Sequence, residues 1–124
     1  MPRDYLLYLE DIKLALDRIE RYTQGQSFEA FSADEMRIDA VIRNLETVGE
    51  AVKHLPEGIR AISPETPWKQ IAGLPDVLSH AYFSVNLTLL WDIVTHEAPE
   101  LRTAIARLIS QIEDDATSNP PPTA

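Results

Sequence analysis

Residues 86–112 read NLTLLWDIVTHEAPELRTAIARLISQI, and along them Leu87, Trp91, Val94, Ala98, Leu101, Ile105, Leu108 and Ile112 recur at alternating steps of four and three. That spacing lays one apolar stripe down a helix, the pattern of a segment that buries one face against its neighbours. Asn86 can cap the free amides at its start. Pro99 has no amide hydrogen and its ring collides with the carbonyl one turn back, so the helix is expected to bend or divide near His96 to Pro99. The same long seam could serve self-association.

Outward from this segment the pattern repeats. Tyr5, Leu9, Ile12, Leu16 and Ile19 keep the same alternation, which predicts a helix from Asp4 to about Thr23 closed by Gly25. After a loop over 24–31, Ser32-Ala33-Asp34-Glu35 has the capping-box form. A second helix follows, with Ile38, Val41, Ile42, Leu45, Val48, Val52 and Leu55 on its apolar face, and Pro56 with Gly58 ends it. Residues 56–67 hold three prolines and one glycine and form a connector with at most a helical turn at Glu57 to Ile62. Thr66-Pro67 reads as an N-cap followed by proline in the first helical position, so a third helix starts near Trp68. At Gly73-Leu74-Pro75 that helix either kinks or gives way to a fresh one beginning at Pro75.

No strand pattern and no internal repeat is present. The expected fold is all-α: an antiparallel four-helix up-and-down bundle, kinked in its third and fourth helices, over residues 1–114. Asn119-Pro120-Pro121-Pro122 marks residues 115–124 as a disordered, Pro-rich tail. A chain of 124 residues with 44% hydrophobic and 25% charged residues suits one globular domain. No apolar run approaches the ~18 residues of a membrane span, and the first residues lack the apolar core of a secretory leader, so a cytoplasmic location is expected. Cysteine is absent, which removes disulfides, thiolate metal sites and thiol nucleophiles. The net charge of −9 disfavours indiscriminate binding along nucleic acid, leaves room for a local basic pocket, and would suit a basic protein partner or simply keep the chain soluble.

Few residues offer chemistry. His54, His80 and His96 lie in different segments, none with a second histidine four residues away, so no zinc site is expected, and no other metal or cofactor is implied. Glu46 and Glu50 lie four apart on the second helix, either as paired carboxylates or as a polar face with Arg43 and Lys53 as ion-pair partners. Asp76-Val77-Leu78-Ser79-His80-Ala81-Tyr82 is the remaining candidate. On a helix Asp76 and His80 share a face, where the carboxylate could orient the imidazole for proton transfer; the other reading is a packed or surface histidine. Tyr82 falls on a different face unless the helix ends there.

At these residues the chain resembles the HepT-like branch of the HEPN superfamily, helical ribonuclease toxins paired with minimal nucleotidyltransferase antitoxins. The resemblance runs from about Tyr5 to Ile109. It is carried by Tyr8-Leu9-Glu10-Asp11-Ile12, Tyr22-Thr23-Gln24-Gly25, Ile42-Arg43-Asn44-Leu45-Glu46-Thr47-Val48-Gly49-Glu50-Ala51, Pro67-Trp68-Lys69-Gln70-Ile71-Ala72-Gly73, Leu78-Ser79-His80-Ala81-Tyr82 and Val85-Asn86-Leu87-Thr88-Leu89-Leu90-Trp91. It implies a homodimer in which two Arg-xxxx-His-x-Tyr motifs face a shared cleft and cleave RNA, including tRNA, without a metal, the 2′-hydroxyl attacking the adjacent phosphate. His80 would be the acid-base residue. Tyr82 matches the tyrosine that the transferase partner modifies with AMP. Five residues before His80, where the motif has arginine, this chain has Pro75, which offers neither charge nor donor to a phosphate. Arg43, in a cleft with Glu46 and Glu50, or a cation from a second subunit, is the candidate replacement.

Overall fold

The computed structural model describes residues 5–80 and 86–118, except the side chains of 79, 80 and 116–118; every regular element among them is helical. Helix α1 (Tyr5–Thr23) buries Leu9, Ile12, Ala15, Leu16 and Ile19, four of them members of the predicted stripe. Gly25 follows at φ 75°, a left-handed conformation that glycine adopts without steric penalty. Helix α3 (Glu35–Lys53) buries Val41, Ile42, Leu45, Val48 and Val52, and packs lengthwise on α1.

Between them the expected loop contains a short helix, α2 (Phe28–Ser32), capped by Ser27, whose side chain accepts from the Ala30 amide. Its Phe31 is fully buried, with its ring centroid 5.1 Å from that of Trp91. The ring pair packs α2 onto α7 (Leu87–Asp92), which offsets the cost of ordering the segment. The capping box is not used. Asp34, one residue before α3, accepts from the Arg37 amide at 3.1 Å, while Ser32 belongs to α2 and its hydroxyl has no partner. The Arg37 amide, then the Arg37 guanidinium, hold the Asp34 carboxyl below its ordinary value.

After α4 (Glu57–Arg60), the Trp68 indole N–H donates to the carbonyls of Arg60 and Ser63, both at 3.0 Å. That bond, rather than a threonine cap, fixes the start of α5 (Trp68–Ala72). Thr66 instead shares a 2.7 Å hydroxyl contact with Ser63, and Pro67 takes the cap position. The chain then breaks at Gly73, whose N–H donates back to Lys69 and Gln70, and restarts as α6 (Leu74–His80). Of the two readings of Gly73-Leu74-Pro75, a restart rather than a kink is what forms.

The last segment stays helical from Leu87 to Ser118 and changes type ahead of Pro99 rather than breaking. Helix α7 (Leu87–Asp92) passes into a π turn (Ile93–Glu97) and then α8 (Ala98–Ser118). The Ala98 amide donates to Ile93 five residues back, so the widened turn accommodates a residue with no N–H. The extra residue shifts the seam. Leu90, Val94, Ala98, Leu101, Ile105 and Leu108 are buried, whereas Leu87 and Trp91, placed in the seam by the sequence pattern, are only partly buried. Helix α8 packs along α1, where Arg102 spans to Asp17 and Glu20, both at 2.6 Å. Helices α5 and α6 pack on α3. Residues 119–124 lie outside the described residues.

Candidate functional site

The motif segment begins with Pro75, the second residue of α6. In the first turn of a helix the amide hydrogens have no partner within the helix, so a proline there forfeits no hydrogen bond and its fixed φ suits the start. Pro75 is buried against α3. The opposing residue is Gly49: a β-carbon placed on it would overlap the Pro75 ring and stand 2.8 Å from the Ile71 carbonyl oxygen. Glycine lets α3, α5 and α6 approach this closely, and so sets where the motif segment lies. Leu78 is buried on the same side of α6, while Asp76 and Val77 are exposed.

Helix α6 contains both Asp76 and His80, four residues apart. The His80 side chain lies outside the described residues, and so does the whole of Tyr82. The carboxylate–imidazole pairing expected at Asp76–His80 is visible elsewhere: His96 Nδ1 lies 3.0 Å from Asp92 Oδ1 across the π turn, with Thr95 Oγ1 at 3.1 Å. Both partners are largely exposed. Sequence spacing contains this pair, but the π turn that holds it has no local signature beyond Pro99.

Arg43, Glu46 and Glu50 do come together. They line an open cleft of about 440 Å³ along the α1–α3 seam, with Tyr8, Asp11 and His54. The His54 ring stacks on Tyr8 at 4.8 Å between centroids, with the planes 8° apart. Lys53 pairs with Glu50 at 3.2 Å, whereas Arg43 makes no ion pair among the described residues. The cleft therefore offers one uncommitted guanidinium among three carboxylates. By sequence His54 is only a histidine lacking a partner at helical spacing; its stacking on Tyr8 depends on how α1 and α3 pair, which no local pattern reports. Among the described residues no three His, Asp or Glu side chains converge as a metal site, and no helix is long and apolar enough to cross a membrane.

The family model described as Ribonuclease HepT-like matches residues 12–108. The chain is 41% identical to a Thermococcus cleftensis protein named "Probable ribonuclease HepT", over 87% of this chain and 98% of that one. It is 40% identical to "Putative RNase MJ0127" of Methanocaldococcus jannaschii, over 93% of this chain and 96% of the relative. No solved structure gives a significant match. An all-helical fold, a match spanning α1 to α8 and near full-length relatives agree: the chain belongs to the HepT-like ribonuclease family.

Proposed function

We propose that this protein is the HepT-like component of a toxin–antitoxin pair, a metal-independent RNA endonuclease by descent whose activity Pro75 has weakened or silenced. Family membership supports the reaction class, and the observation that carries the reading is the proline at the motif's arginine position, buried against Gly49. In this reaction His80 takes the proton from the RNA 2′-hydroxyl, which attacks the adjacent phosphate, and a proton returns to the departing 5′-oxygen. Negative charge builds on the phosphoryl oxygens meanwhile. A cation there stabilises the transition state more than the ground state, and proline supplies none. Arg43 and cations of a second subunit are the remaining sources. Incubation of the purified protein with single-stranded RNA or tRNA under chelator tests the assignment: any cleavage should vanish in His80→Ala. Undiminished cleavage in that variant removes His80 from the mechanism.

Pro75 also favours a second reading, a homodimer that no longer cleaves but still binds a minimal nucleotidyltransferase and presents Tyr82. In this case the wild type is inert toward RNA, and the transferase with ATP adds the mass of AMP to it. Equal uptake by Tyr82→Phe would place the modification on another residue. A phosphate added at Tyr82, two residues after His80 in the sequence, brings negative charge and bulk to the motif and would repel an RNA phosphate.

A further inference from the structure

Helix α8 rests on α1, and α5 with α6 rests on α3. Between them lies a groove of about 310 Å³, separate from the α1–α3 cleft. Its floor is the core itself, Leu16, Leu45, Val48, Ile71 and Leu101. An apolar cavity of about 150 Å³ accommodates a benzene-sized group, so this groove has room for about two such side chains but not for a whole helix.

Charge at the rim is unbalanced. Among the described residues Glu65, Glu97 and Glu100 face it, with Arg107 as the one cation. Ser63 Oγ donates to Glu65 at 2.9 Å, and the Arg107 charge acts on the same carboxylate. Glu97 and Glu100, both exposed, make no ion pair among the described residues. Apolar floor and acidic rim together specify the complement: a helical segment inserting two apolar side chains and carrying lysine or arginine at its flanks.

We propose that this groove docks such a basic amphipathic segment from a different protein. A second copy of this chain is a poor source, since it has 11 Lys and Arg against 20 Asp and Glu. Leu74 forms part of the wall, immediately before Pro75. A seated segment therefore presses on the start of α6, the helix to which His80 belongs.

The test uses the full chain and three labelled helical peptides. One has leucines on one face and lysines at its flanks, one replaces the lysines with glutamates, and one replaces the leucines with serines. The lysine–leucine peptide should bind about tenfold or more tightly than either twin and should weaken as salt is raised. Two variants localise it. Ala104→Trp fills the groove from a half-buried position on α8 and should abolish binding while the helical circular dichroism is kept. The Glu97→Lys, Glu100→Lys double variant alters only exposed side chains and should lower affinity about tenfold. Binding that is absent, that is equal for lysine and glutamate peptides, or that survives either folded variant unchanged overturns the proposal.

Discussion

Pro75→Arg is expected to raise metal-independent RNA cleavage about 100-fold over the wild type, measured as initial rates under chelator. A single preorganised donor at a developing oxyanion contributes roughly 10²–10³ in rate, and the motif's arginine would be such a donor. The gain comes with a loss of stability. The proline ring is buried on Gly49, so the longer arginine must run out along the α3 surface before its guanidinium reaches water. A positive charge in the first turn of α6 also opposes the helix dipole, and the unfolded chain regains the freedom that proline had removed. These last two effects sum to about 1–2 kcal/mol, read as a lower denaturation midpoint. The Pro75→Arg, His80→Ala double variant should return cleavage to background. A Pro75→Arg protein that folds, associates like the wild type and cleaves no faster would show that more than the arginine has been lost.

How much of the molecule is legible in its sequence follows from which interactions are local. The stripes of α1 and α3 can be read because an amphipathic helix writes its packing into its own spacing, and ten of the residues named for them are buried. Pro99 announces an interruption but not its kind. A π turn inserts one residue, so Leu90 replaces Trp91 as the buried residue and the predicted seam slips by one. Asp34 and Ser32 both have capping side chains; which of them caps α3 is decided by α2, a helix held by Phe31 against Trp91, more than fifty residues away. At the motif, the identity of Pro75 is plain by counting back from His80, whereas its setting is not. Gly49 looks like an ordinary helical glycine until α6 is laid across it.

Gly49→Ala is expected to destabilise the fold by about 2 kcal/mol, although it replaces glycine with the best helix former. Inside an isolated helix the substitution would stabilise by about 1 kcal/mol. Here the new methyl meets the Pro75 ring and the Ile71 carbonyl oxygen 2.8 Å away, and neither can rotate aside, since one is a closed ring and the other is backbone. Overpacking of this kind opposes folding by about 1–3 kcal/mol, and a rigid site sits at the upper end. Gly58→Ala is the matched control: it lies in α4, where a β-carbon would have nothing within 4 Å, and should be neutral or slightly stabilising. Urea unfolding of the two variants separates the effects; equal stabilities would mean that α6 does not press on α3 as described. Replacing the ring gives the sharper result. In a Pro75→Ala background the penalty of Gly49→Ala should shrink without vanishing, because the Ile71 oxygen remains, and the difference between the two penalties measures the contact that holds the motif helix in place.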